Sequence, residues 1–202
     1  MTDYRITQSV RRTCDRNARW FDFFDEMVRD DLRRTVTGEA VGRALEVGVG
    51  TGQNLPFYDP EITAELVGID FSQGMLARAR TKPCRVPLTL LEMDAEHMTF
   101  PDGSFDTVLG TCVFCTAPDP ILGLREVRRV CKPGGRIVLL EHVRLNTPLA
   151  GFLMDLIAPL VVALVGCHIN RRTVDNARLA GLHIEHVEKL KGDLVYLIYA
   201  RP

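Results

Sequence analysis

Apolar positions between residues 43 and 141 fall into two alternating patterns. Short apolar runs lie near 44–47, 66–70, 87–91, 106–110 and 135–141. They read as strands of a sheet. Between them, segments near 72–80 and 119–130 read as helices. Strand–helix alternation predicts an α/β fold, a doubly wound and mostly parallel sheet with helices on both faces. Pro133-Gly134-Gly135 reads as a turn that starts the fifth strand. Leu182–Leu190 and Leu194–Ala200 read as two last strands joined by Lys191-Gly192-Asp193. So short a connection requires an antiparallel hairpin.

Two segments depart from this rhythm. In residues 1–38, Trp20, Phe23, Phe24, Met27, Val28 and Leu32 recur three and four apart, against a face of Asp22, Asp25, Arg29, Asp30 and Arg33. That is an amphipathic helix. It divides the chain into a helical N-terminal cap, 1–38, and a main domain, 39–202. Within the latter, 147–170 is a strongly apolar insertion interrupted by Asp155 and Pro159. Its longest clean run, Leu160–Val165, is far short of the ~20 residues of a membrane-spanning helix. The insertion packs on the sheet, covers a ligand as a lid, or touches a membrane surface.

The most informative chemistry lies where the first strand ends. Glu46 precedes Gly48, Gly50 and Gly52, three glycines at alternate positions, where backbone approaches a ligand closely. About twenty residues on, Leu66-Val67-Gly68-Ile69 ends in Asp70, placed to grip the hydroxyls of a ribose. A dinucleotide fingerprint needs a glycine where Gln53 stands, and a phosphate loop needs a lysine after the glycines. S-adenosylmethionine has no phosphate and carries an ammonium and a sulfonium. A glutamate beside the loop suits those cations.

Four blocks now carry a family resemblance: Glu46-Val47-Gly48-Val49-Gly50-Thr51-Gly52; Val67-Gly68-Ile69-Asp70-Phe71-Ser72-Gln73-Gly74-Met75-Leu76; Met93-Asp94-Ala95-Glu96 with Phe100–Asp106; and Glu126–Gly135. In this order they resemble class I S-adenosylmethionine-dependent methyltransferases, in the small subgroup that includes ubiquinone/menaquinone-type enzymes. The resemblance implies a Rossmann-like seven-stranded sheet with a final antiparallel strand, and S-adenosylmethionine as cofactor. It implies backbone approach at Gly48, Gly50 and Gly52, and a Glu46 that orients the loop or the ammonium end. Asp70 is expected on the ribose and Phe71 beside the adenine. Asp94 and Ala95 are expected at the adenine amino group and ring, and Thr111 and Cys112 at the methionine part. The N-terminal helix packs on the core, or caps the acceptor as such segments often do in the resembled family, or both; Phe21 stands where the family commonly has a tyrosine.

The acceptor side is read from position. His142 follows the fifth strand at its carboxyl end, where open α/β sheets bind ligands. It is the candidate catalytic residue, to deprotonate or position an acceptor, against a structural role as a bonded loop histidine. Arg171 binds an anion or makes a structural contact. Cys112 and Cys115 form C-x-x-C without a second pair, so no metal site is expected; Cys115 reads as a core or pocket residue.

Cys112–Cys115, Leu124–Val130, Glu141–Val143 and Gly166–Thr173 are most similar to methyltransferase-like thiol S-methyltransferases, which act on small lipophilic thiols. Bacterial phospholipid N-methyltransferases share much of this pattern. A thiol is intrinsically nucleophilic and needs little beyond an apolar pocket, so S-methylation is the first expectation. The alternatives are N-methylation of a phospholipid headgroup or small amine, C- or O-methylation of a quinone- or phenol-like metabolite, and a silent cofactor-binding subunit.

A net charge of −1 gives no basic excess to follow a nucleic-acid backbone. The expected partner is a small-molecule acceptor, with weak contact to a membrane surface. The opening residues form no apolar signal region, and the six cysteines are scattered. Both point to a cytoplasmic, reduced protein.

Overall fold

The computed structural model describes residues 28–190 and 193–202. The proposed cap therefore lies outside the described residues up to position 27. Its last part forms helix α1 (Asp30–Thr37). Strand β1 (Gly42–Val47), a 3-10 turn (Leu55–Phe57), β2 (Thr63–Asp70), α2 (Gln73–Ala79), β3 (Leu88–Glu92) and β4 (Phe105–Thr111) follow. Then come α3 (Pro120–Val130), β5 (Cys131–His142), α4 (Pro148–Val165), α5 (Thr173–Leu179), β6 (His183–Leu190) and β7 (Val195–Arg201).

The strands form one seven-stranded sheet in the order β3-β2-β1-β4-β5-β7-β6. β1 to β5 pair in parallel, and β7 runs antiparallel to both β5 and β6. This is the expected α/β fold. The strand order reverses between β1 and β4, which opens a crevice at their carboxyl ends.

The continuous apolar runs have a direct cause. Neighbouring strand residues point to opposite faces, and both faces are covered. Leu45, Val67, Val108 and Leu139 pack with Leu124, Val127 and Val130 of α3 and Ala177 of α5. Their neighbours Ala44, Leu66, Leu109 and Val138 pack on the other face with Val36 of α1 and Leu76 and Ala79 of α2. Caps fix two of the helix starts. Ser72 Oγ accepts from Met75 N at 3.1 Å. The Asp119 carboxylate accepts from Ile121 N at 3.1 Å and Leu122 N at 3.0 Å, with Pro120 in the first turn.

Two details differ from the reading above. Pro133-Gly134-Gly135 does not precede β5 but bulges within it: Phe105 pairs with Cys131, and Thr107 with Arg136. Gly134 takes φ +81°, a conformation that glycine adopts without strain. The apolar insertion forms one helix, α4, whose side chains join neither core. Among the described residues, no helix is long and apolar enough to cross a membrane.

Candidate functional site

The loop after β1 uses its glycines for different reasons. All three have positive φ: +63° at Gly48, +56° at Gly50 and +81° at Gly52. A Cβ on Gly48 would meet Val113 Cγ2 at 2.7 Å, and one on Gly52 would meet Leu55 Cδ1 at 2.8 Å and the Ala79 Cα at 2.9 Å. On Gly50 it would find only the Gly48 carbonyl, at 3.9 Å. Gly48 and Gly52 thus pack the loop against the protein, whereas Gly50 borders open space.

Asp70 ends β2 and is buried. Its carboxylate accepts from Gly50 N at 3.0 Å and Ser72 N at 2.9 Å. It therefore ties the glycine loop to the neighbouring strand. Phe71, next in sequence, is partly exposed. Met93 N donates to the Asp70 carbonyl at 3.0 Å, which brings Asp94 and Ala95 to the same end of the sheet. Asp94 accepts from Glu96 N at 2.9 Å, and both Asp94 and Ala95 are partly exposed.

Glu46 is buried beneath the loop. Oε1 accepts from Asn54 Nδ2 at 2.8 Å and Oε2 from the Tyr58 hydroxyl at 2.9 Å. Asn54 also donates to Thr111 Oγ1 at 3.0 Å and accepts from Arg33 Nη1 at 2.9 Å. The Asn54 and Tyr58 bonds hold the Glu46 carboxylate beside the start of the glycine loop. Asn54 and Tyr58 were not singled out by the sequence, and Arg33, read only as part of the polar face of the N-terminal helix, is buried here. These three polar residues lie 13 before, and 8 and 12 after, Glu46, and no periodic signal joins them.

Across the crevice, Thr111 ends β4 and Cys112 follows in the left-handed region, at φ 54°. For a non-glycine residue this stores strain of about 1–3 kcal/mol. The turn is held from β5. Glu141 Oε1 accepts from Val113 N at 2.8 Å and Phe114 N at 3.0 Å. Glu141 Oε2 is buried and has no hydrogen-bond partner among the described residues. Burial pushes the carboxyl up to about 7, against those N–H bonds and the Arg171 charge.

His142 ends β5, half-buried. Burial lowers its pKa, opposed by a hydrogen bond with the Ile169 backbone. Its Nδ1 is buried and unpartnered among the described residues. Arg171 Nη2 donates to the Ala117 carbonyl at 2.8 Å, a structural contact. In the C-x-x-C pair, Cys115 Sγ points to the Cys112 carbonyl at 3.3 Å. Asp94, Glu96 and His97 bring one possible metal-ligand atom each to within 4.8 Å of one another, a grouping not foreseen above. Glu96 is already engaged with Asp119 N at 2.7 Å, and His97 is exposed.

Helix α4 leaves this end of the sheet and touches the body by a narrow stripe: Gly151, Met154 and Ala158 are buried. Leu149, Phe152, Leu153, Leu156, Ile157, Leu160 and Leu164 are 47–73 % exposed. Asp155, which interrupts the apolar run, anchors the helix. It takes a bidentate bond from Arg144, at 2.8 Å to Nη2 and 3.1 Å to Nε, and another from Asn170 Nδ2 at 3.0 Å. Arg144 first, then Asn170, pull its pKa to about 2.

A family model described as "Methyltransferase domain" matches residues 45–139. The phosphatidylethanolamine N-methyltransferase of Cereibacter sphaeroides is 42 % identical over 142 residues, 65 % of this chain and 69 % of that one. The ubiquinone/menaquinone biosynthesis C-methyltransferase of Geobacter sulfurreducens is 34 % identical over 159 residues; the alignment covers 70 % of this chain but only 62 % of that relative's length. Among solved structures, an S-adenosylmethionine-dependent methyltransferase from Mesorhizobium loti superposes with a TM-score of 0.67 at 22 % identity, over 84 % of this chain and 95 % of that one. At that identity the likeness bears on the fold.

Proposed function

This chain belongs to the class I S-adenosylmethionine-dependent methyltransferases, with S-adenosylmethionine as methyl donor, and from that premise we propose that its acceptor is the amine of a phospholipid headgroup at a membrane surface. The observation that carries this reading is α4. The helix begins at Pro148, soon after His142, and holds seven large apolar side chains in solvent. A contiguous apolar face of this kind marks an interaction surface. A helix lying in the interfacial plane buries such a face among lipid chains. The similarity to a phosphatidylethanolamine N-methyltransferase supports the same acceptor.

The geometry supports the cofactor roles expected from the sequence. The Asp70 carboxylate ends β2 beside the glycine loop, where it receives the ribose hydroxyls. Gly50 leaves room for the ligand, Gly48 and Gly52 set the loop, and the Asn54–Glu46–Tyr58 bonds hold it. Phe71, Asp94 and Ala95 border the adenine; Thr111 and Cys112 border the methionine part.

Transfer is an in-line displacement. The amine nitrogen attacks the methyl carbon, the carbon–sulfur bond breaks, and its electron pair stays on sulfur as S-adenosylhomocysteine. Only the neutral amine has the lone pair, so the ammonium proton must leave first. His142 is the proposed acceptor of that proton. Burial disfavours the charged form of its imidazole, and Nδ1 has no partner among the described residues.

Thiol S-methylation, the first expectation from sequence, becomes the second reading. It requires α4 to wall a small apolar pocket, whereas the large side chains of α4 face outward. Asp155, an acid available to an amine in principle, is committed to Arg144 and Asn170. Asp22 and Asp25 lie outside the described residues.

The test replaces Phe152 and Leu156 together by glutamate. Expected is unchanged S-adenosylmethionine affinity, with S-adenosylhomocysteine release on phosphatidylethanolamine vesicles falling more than tenfold. Full turnover on vesicles would remove α4 from the account.

A further inference from the structure

Beside the crevice, two segments distant in sequence bring two thiols together. Cys115 lies in the turn after β4 and is buried. Cys167 follows Gly166, which ends α4 with φ +79°. Two hydrogen bonds fasten these segments. His168 N donates to the Cys115 carbonyl at 2.8 Å, and Arg171 Nη2 donates to the Ala117 carbonyl at 2.8 Å. The Cys115 thiol is within hydrogen-bonding reach of the Cys167 sulfur, as well as of the Cys112 carbonyl. The backbone therefore holds Cys115 and Cys167 in adjacent segments.

Their surroundings differ. Cys167 is partly exposed. The Cys115 hydrogen bond and the Arg171 guanidinium favour its thiolate, against burial and the Glu141 carboxylate. Cys115 is enclosed, and the hydrogen bond to Cys167, burial, Glu141 and Cys112 all push its thiol up. A partly exposed thiol whose ionised form is favoured by a nearby cation, backed by a second thiol, is the arrangement that reacts with peroxides and then closes to a disulfide.

We propose that Cys115 and Cys167 are a reversible, peroxide-responsive disulfide site that ties the end of α4 to the turn after β4. The Cys167 thiolate attacks one oxygen of hydrogen peroxide. The oxygen–oxygen bond breaks, hydroxide leaves and takes up a proton as water, and Cys167 becomes a sulfenic acid. The Cys115 sulfur then attacks the sulfenic sulfur, gives up its proton and displaces the second water. The two thiols lose two electrons and two protons in all, and the peroxide is reduced to two waters. The disulfide joins α4 covalently to the turn that carries Cys112 and the N–H groups gripped by Glu141. It restrains both elements beside the crevice and lowers methyl transfer.

The test treats the reduced full-length protein with hydrogen peroxide, then combines non-reducing peptide mapping, a free-thiol count and S-adenosylhomocysteine release on phosphatidylethanolamine vesicles. Expected are a Cys115–Cys167 cross-link, the loss of two thiols and a several-fold fall in turnover, all reversed by dithiothreitol. Cys167→Ser should keep its turnover under the same peroxide. Over-oxidation of Cys167 with Cys115 still a thiol, a cross-link through other cysteines, or a cross-link without change in turnover would each overturn the proposal. The peptide map reads the native chain, so it decides the pairing even if the variant folds poorly.

Discussion

Gly50 and Gly52 share a backbone conformation but not an environment, so alanine at each separates two effects. Both have positive φ, and an L-residue there costs about 1–2 kcal/mol. At Gly50 that strain is the whole cost, because the added Cβ meets nothing closer than 3.9 Å. At Gly52 the Cβ would lie 2.9 Å from the Ala79 Cα, a backbone atom that moves only with α2. Overpacking of this kind adds about 1–3 kcal/mol, so Gly52→Ala should lose about 2–5 kcal/mol against about 1–2 for Gly50→Ala. Urea denaturation of both variants gives the difference, in which the shared strain cancels. Calorimetric titration with S-adenosylmethionine gives the complement: Gly50→Ala, though the more stable, should bind more than tenfold more weakly, because its methyl projects into the ligand's space. Equal stability losses would refute the packing argument. Unchanged affinity in Gly50→Ala would refute the placement of the ligand.

Asp70→Ala should weaken S-adenosylmethionine binding more than tenfold, roughly 1.4 kcal/mol or more, as read by the same titration. His142→Ala should lower turnover far more than cofactor affinity; the reverse would make His142 structural. Tyr58→Phe removes the donor to the buried Glu46 Oε2 and should cost about 1–3 kcal/mol in urea denaturation. Glu141 gives a pH signature. Its folded pKa, about 7, lies above the ordinary value of 4.5, so the native state binds more protons than the unfolded chain between those limits. Its effect on stability is absent below about 4.5, grows as pH rises, and is fully destabilising above about 7. Stability measured from pH 4.5 to 8 should fall less steeply in Glu141→Gln than in the wild type, and parallel curves would contradict the assignment.

The sheet was legible because its cause is local. Consecutive residues such as Ala44 and Leu45, or Val108 and Leu109, must both be apolar wherever both faces are covered, and that condition shows as a run in the sequence. The glycine loop was legible for a similar reason, since positive φ and close packing select one residue type at fixed spacing. The Arg33–Asn54–Glu46–Tyr58 bonds were not, because polar residues dispersed over 26 positions leave no pattern until the chain folds. Glu141 was seen only as the neighbour of His142. Its grip on Val113 and Phe114 is a contact across 27 and 28 residues. The apolar run at 147–170 showed that something is buried against it, but not which side turns outward. That depended on Asp155 meeting Arg144 and on the smallness of Gly151 and Ala158.

The central claim, methyl transfer to a membrane-held amine, is tested most directly by S-adenosylhomocysteine release with matched acceptors: phosphatidylethanolamine vesicles, phosphatidylcholine vesicles and small lipophilic thiols without lipid. Product is expected with phosphatidylethanolamine vesicles and none with the other two. Product with the thiols and none with phosphatidylethanolamine would contradict that claim and return the chain to S-methylation.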